Sequence, residues 1–268
     1  KRAKAENVHF FVADGVSDEF VSRIEGVDYV FCDPSRAPTE PKRTLDGLSP
    51  APAAVLERYG GLCRGIAIEA PPQLTPERVP LQCEKEYVSL DGALNRLTLY
   101  FGELMECDRS CVCLSETEEG RLCSDGEGVV VSTRHLGRFC FEPDPALLKA
   151  ELLAGLAHVL NEQIEVFVWD DKRRLITSDH MLCSPFFTHT FSVVAHLRGE
   201  RAIQDANRLV RDSAKRILIR GSIAPDDYWT VRRALEDGIC GNDVFHAFLR
   251  GDEVLVLKAL EDSQLSSK

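Results

Sequence analysis

Three short apolar runs, each stopped by a turn signal and separated by helical stretches, constrain this 268-residue chain more than any other feature. They are HFFVA (9–13), which ends at Asp14-Gly15, YVFC (29–32), which ends at Asp33-Pro34, and GIAIE (65–69), broken by Pro71-Pro72. Apolar runs of this length read as strands buried on both faces. Between them, 17–24 opens with the cap candidates Ser17 and Asp18, and 53–59 is closed by Gly60-Gly61, so both read as helices. Strand, helix, strand, helix, strand at this spacing predicts right-handed crossovers and a parallel sheet, with 9–13 and 29–32 side by side. Such sheets gather their chemistry at the carboxyl ends of strands, where Asp14 and Asp33 stand.

Further along, 86–90 and 96–101 alternate like an antiparallel hairpin, and 111–114 continues that pattern. The prolines at 38, 41, 50 and 52 make 37–49 a loop. The acidic, glycine-bearing run 116–128 reads as a loop and as the domain boundary. Beyond it, strands are predicted at 129–132, 164–169, 191–197, 216–219, 244–249 and 254–257. Helices are predicted at 146–160, after Pro143 and Pro145, at 202–215 and at 226–235.

Hydrophobic content of 44% with 28% charged residues is that of an ordinary globular protein, and no apolar run approaches a membrane span. The opening KRAKAENVHF carries charge where a secretory signal has an apolar core, which predicts a cytoplasmic protein with no membrane partner. The ten cysteines then read as free thiols in a reducing compartment. Cys107, Cys111, Cys113 and Cys123 supply one knuckle and no clean second, so no metal is expected there. The histidines lie apart, with neither H-x3-H nor H-E-x-x-H, and no nucleophile elbow or Walker loop is present.

The net charge of −11 speaks against a generic nucleic-acid coat but leaves room for a local basic face. Residues 195–220 hold seven basic side chains against three acidic ones. Arg201, Arg208, Arg211 and Lys215 recur at helical spacing, with Arg216 beside them. A solvated helix face and a phosphate-tracking surface both account for that pattern.

The order VADGV (12–16) and then DPSR (33–36) resembles the third and fourth strand ends of class I S-adenosylmethionine (SAM) methyltransferases. EKEYVSLDGALNRLTLYFGE (84–103), FCFEPDPALLKAELL (139–153) and the end of the chain from Cys240 to Lys258 are similar to the group of these enzymes that carries a C-terminal THUMP-like domain. The resemblance implies an α/β chain: an incomplete Rossmann-like methyltransferase sheet over 1–128, an α+β THUMP-like region over 129–262, and a disordered tail at 263–268. It implies SAM as cofactor, with Asp14 and Gly15 at its adenine. Asp33 and Pro34 would hold an acceptor amine, and Ser35 and Arg36 would complete the catalytic motif. RNA, either tRNA or rRNA, would be the partner, bound through Arg201, Arg208, Arg211, Lys215 and Arg216.

Two departures bear on that reading. Ser35 stands where the family has proline or a variable residue, and Ala37 stands where DPxRR has its second arginine. The family's glycine-rich cofactor loop has no counterpart, because Gly126-Glu127-Gly128 precedes a strand where the fingerprint requires a strand before and a helix after. An upstream part of the same protein is therefore expected to complete the SAM site, and this stretch by itself is expected to be inactive. The alternatives are an RNA-binding protein with a non-catalytic methyltransferase-like domain, and a methyltransferase acting on protein or a small molecule.

Overall fold

The computed structural model describes residues 7–24, 26–36, 43–116, 118–221 and 223–260. The opening 1–6 and the tail at 263–268 lie outside them. A one-turn helix, α1 (Asp18–Val21), is capped by Ser17, whose hydroxyl accepts from the Phe20 N–H. Then follow β1 (Tyr29–Cys32), β2 (Ser35–Arg36), β3 (Leu48–Ser49), α2 (Pro52–Tyr59) and β4 (Gly65–Ala70). Pro52 begins α2 where a missing N–H costs nothing, and Val55 and Tyr59 turn inward.

Strands β5 (Glu84–Leu90), β6 (Ala93–Gly102), β7 (Arg109–Leu114) and β8 (Glu119–Cys123) complete a six-stranded sheet in the order β1-β4-β6-β5-β7-β8. β1 and β4 are parallel, as the crossover argument requires, and β5 and β6 form the expected antiparallel hairpin. Their two-residue turn, Asp91-Gly92, has positive φ at both positions, the geometry that matches strand twist. β6 ends at Gly102, with φ +66, where a Cβ would lie 2.4 Å from the Arg64 carbonyl oxygen.

Several expectations are corrected here. HFFVA forms no strand; Phe10, Phe11 and Val12 are exposed and have no ladder partner among the described residues, and Phe11 meets Phe20 of α1 edge to face. The helix expected at 17–24 is only the four residues of α1. β7 pairs with β5 in parallel and does not continue the antiparallel pattern. The run 116–128 holds β8, which buries Gly120 and Leu122 on alternate positions against β7.

A second sheet of eight strands follows in the order β14-β15-β16-β13-β10-β12-β11-β9. Its members are β9 (Val130–Thr133), β10 (Phe139–Pro143), β11 (Ile164–Val168), β12 (Arg174–Ser178), β13 (Phe187–Arg198), β14 (Ala214–Gly221), β15 (Asp243–Arg250) and β16 (Glu253–Ala259). The helix expected over 146–160 is two: α3 (Pro145–Ala150) and α4 (Leu153–Leu160). Glu151 breaks it by adopting the left-handed region, with φ +59. That turns the Leu152 N–H back to the Leu147 carbonyl, a helix-ending bond made without glycine. The helix expected over 202–215 ends at Val210 as α5 (Ala202–Val210), and α6 (Pro225–Leu235) packs beside it.

One apolar core runs through Ile68, Tyr87, Leu97 and Leu99 of the first sheet to Leu147 and Leu156 of α3 and α4 and to Phe141, Ile164 and Ile176 of the second. α3 lies on β5 and β7 and so joins the two sheets. A separate cluster seats α5 and α6 on β14–β16 through Ala206, Val210, Ile217, Leu235 and Phe245. No described helix is long and apolar enough to cross a membrane.

Candidate functional site

Asp33 stands one residue beyond the carboxyl end of β1, exposed, and Pro34 follows it. Ser35 and Arg36 then enter a short ladder, opposite Ser49 and Leu48, and the Ser35 hydroxyl donates to the Ser49 carbonyl at 3.3 Å. Proline before the ladder fixes the turn out of β1, and the ladder anchors the far side of the motif. Both Asp33 and Arg36 remain open to solvent. The outer edge of β1 has no ladder partner among the described residues, and Tyr29 and Phe31 are exposed along it.

Asp14 is not on a strand, but it is brought to this strand end. Its carboxylate accepts from the Val16 N–H at 3.1 Å, and its carbonyl accepts from the Ser17 N–H and hydroxyl, so Asp14-Gly15 is a turn that leads into α1. The Tyr59 hydroxyl, from the end of α2, donates to the Gly15 carbonyl. Arg58, one residue earlier, pairs with Asp18. The Tyr59 hydroxyl has its pKa raised by burial and then by the nearby Cys32 and Asp14 groups. The Cys32 thiol is likewise pushed up by burial and then by Asp33. α2 therefore clamps the 14–18 turn beside the carboxyl end of β1. Sequence reasoning missed Tyr59, although its place at the last turn of an amphipathic helix was a signal that it faced inward.

The glycines at 126 and 128 have a packing role. A Cβ on Gly128 would lie 2.4 Å from the Ala154 carbonyl oxygen, and one on Gly126 would lie 3.1 Å from the His158 Cβ, so both let the chain lie against α4. Among the described residues no three His, Cys, Asp or Glu side chains gather as a metal-binding group. Cys111 and Cys113 are buried on one face of β7.

The basic residues do not share one helix face. Arg201 precedes α5, Arg208 and Arg211 lie at its end, and Lys215 and Arg216 are exposed on β14. Arg208 pairs with Asp205 at 3.2 Å and Arg211 with Asp212 at 3.4 Å. Arg208 and Arg211 line a shallow cleft with Asn207, Arg233 and Asp237. Asn207 closes its floor by donating to the Leu235 and Asp237 carbonyls, tying α5 to α6.

Neither the family models nor the curated proteins match this chain. Among solved structures, the chain is similar to a crystal structure described as a "putative methyltransferase from Porphyromonas gingivalis W83", with a TM-score of 0.63 at 16% identity. The match covers 87% of this chain and 60% of that one. Its mixed α/β fold, with parallel strands in both sheets, is thus shared with a protein so described.

Proposed function

We propose that this chain carries the acceptor side of a SAM-dependent methyltransferase that modifies an amine of an RNA base. The observation that carries the reading is Asp33-Pro34 at the carboxyl end of the parallel strand β1, with the Asp14-Gly15 turn held beside it by Tyr59. The shared fold supports it.

In this reading the Asp33 carboxylate and the Pro34 carbonyl accept two hydrogen bonds from the acceptor amine and aim its lone pair. Positioning of this kind supplies much of the catalysis in a transfer step. Asp14 fits one part of the cofactor. One carboxylate oxygen is held by the Val16 N–H, which leaves the other to accept from an adenine amine. SAM supplies the electrophilic methyl. The described residues contain no glycine-rich loop between a strand and a helix to hold its methionine end. Arg36, exposed beside Asp33, offers a guanidinium plane to a base or a phosphate.

A non-catalytic RNA binder is the second reading, favoured by Ser35 being tied into a ladder with Ser49. Methyl transfer from labelled SAM by the full-length protein, with total RNA and total protein as separate acceptors, decides between them. Label entering RNA, and lost in Asp33→Ala while RNA affinity persists, is the expected result. RNA binding without label in any pool would establish the binder, and label entering protein alone would move the substrate.

A further inference from the structure

Residues 142–145 have no role in the methyl-transfer chemistry proposed above, yet they form a wall of a cavity of about 590 Å³ between the two sheets. The cavity is within the size range of small-molecule sites. Its floor is apolar, from Leu114, Leu148, Leu175 and Phe187, and its polar groups are segregated. Asp144 is already used. It is buried, takes the Ser89 hydroxyl at 2.8 Å and caps α3 through the Ala146 N–H at 2.7 Å. Arg173 is used as well, against Asp170 at 2.7 Å.

Three lining groups remain available. Lys172, on the turn from β11 to β12, and Arg174, the first residue of β12, are exposed and make no ion pair among the described residues, although Arg174 lies in the field of Glu151. Glu142, deeper in, faces His189 Nδ1 at 3.0 Å and Arg220 Nη2 at 3.8 Å. The Glu142 Oε2 is buried and neither cation meets it with an aligned hydrogen bond, so a ligand donor there would compete with His189 for it. Burial would raise the Glu142 pKa, but His189 and Arg220 more than offset it and keep the carboxylate ionised. Asp91 and Glu118 stand on the wall contributed by the first sheet, so an anion is directed to Lys172 and Arg174 and not across to them.

The geometry points to a nucleotide-binding cavity. The phosphate of a nucleoside monophosphate unit sits on Lys172 and Arg174, a hydroxyl or amine of the same unit donates to Glu142, and its apolar faces lie on the leucine floor. β5 and β7 run in the same direction as β1, so this cavity opens at the same edge of the sheet as Asp33. Three to four strand spacings lie between them across the sheet, and Leu90 and Leu114 stand four residues further along their strands than the level of Asp33. The ligand is a free mononucleotide or the phosphorylated end of an RNA strand, and the site is read by binding, independently of methyl transfer.

Calorimetric titration of the full-length protein with the four nucleoside monophosphates, inorganic phosphate, and a short RNA with and without a 5′-phosphate tests it. At least one mononucleotide, or the phosphorylated RNA, saturates the site and binds more tightly than inorganic phosphate. The double variant Lys172→Ala/Arg174→Ala loses about tenfold or more in affinity for every phosphate probe, as expected for charge-assisted bonds. Glu142→Gln weakens the nucleotide but not inorganic phosphate. A tighter phosphorylated RNA identifies the strand end as ligand, and a tighter mononucleotide identifies the free form. Both changed positions at 172 and 174 are exposed, and a thermal melt of each variant checks that it is folded. Failure of every probe to saturate at millimolar concentration, or binding indifferent to the double variant, overturns the inference.

Discussion

The Tyr59 hydroxyl donates a hydrogen bond to the Gly15 carbonyl, across 44 residues of sequence. That bond joins the last turn of α2, which packs on the first sheet, to a turn that has no ladder of its own. The carboxyl end of β1 and the Asp14 carboxylate share a neighbourhood because of it.

Tyr59→Phe keeps the ring in the core and removes only the donor. The expected cost is about 1 kcal/mol of stability, the usual net worth of one such bond. The Asp14-Gly15 turn loses its tether, so SAM affinity should fall while affinity for RNA is unchanged. Denaturant melts and separate titrations with SAM and RNA check both halves. Unchanged SAM affinity would mean that the turn does not meet the cofactor.

The elements around this bond were legible in the sequence to different degrees. β1, β4 and α2 could be read because each is a contiguous apolar run or a proline-to-glycine helix, and local signals suffice for those. HFFVA carries an equally apolar signal, but a strand exists only with a ladder partner, and the described residues provide none for Phe10–Val12. The 146–160 helix is periodic throughout. Its break depends on Glu151 going left-handed, a position that neither glycine nor proline marks. β8 was hidden by its acidic surroundings, although Gly120 and Leu122 alternate inward as a half-buried strand should. The cavity at Glu142 could not be read at all, because Lys172, His189 and Arg220 meet it only through the order of strands in the second sheet.

The early end of α5, at Val210, changes what the basic residues can contribute to the proposed RNA binding. Arg208 and Arg211 are each engaged by an aspartate, whereas Lys215 and Arg216 are exposed on β14. Lys215→Ala/Arg216→Ala should therefore weaken RNA binding more than Arg208→Ala/Arg211→Ala. The salt dependence should flatten by roughly 0.7 per lost phosphate contact to a single strand. Filter binding at several ionic strengths measures this. Equal slopes in wild type and both double variants would remove this surface from the RNA path.

His246 is buried, and its pKa is lowered to about 4 by burial, by the Arg220 charge and by His189. The unfolded chain binds a proton near pH 6.5 and the folded chain does not. Stability is therefore fully present above pH 6.5 and declines as pH falls toward about 4. The loss over that window is up to about 3 kcal/mol. His246→Gln keeps an acceptor for the Arg220 Nε–H, now 3.3 Å from His246 Nδ1, and should flatten this part of the pH–stability curve. An unchanged slope in the variant would assign the acid loss to other groups.

At the acid end of that window a second group adds to the loss. Glu84 is fully buried, and burial alone would raise its pKa. The Ser110 hydroxyl at 2.5 Å and the backbone N–H groups of Glu106 and Cys107 all donate to it, and Arg121 pairs with it at 2.9 Å. Together they outweigh burial and hold the carboxyl below its usual range. A lowered folded-state pKa means that this stabilisation is present above the unfolded value of 4.5 and is lost as pH falls through the folded one. Arg121 also reaches Glu86 at 3.4 Å and Glu106 at 2.6 Å, so it is the shared cation of three carboxylates. Arg121→Ala leaves the buried Glu84 charge with hydrogen bonds but no counter-charge. It should cost about 2 kcal/mol at neutral pH, in the range of a hydrogen bond to a charged group. Arg121 is one of the groups that hold the Glu84 carboxyl down, so without it the carboxyl should protonate at higher pH than in the wild type and the deficit should shrink as pH falls. Melts of wild type and Arg121→Ala from pH 7 to pH 3 test this; a difference that stays constant across the range would mean that Arg121 stabilises the fold by packing and not by its charge.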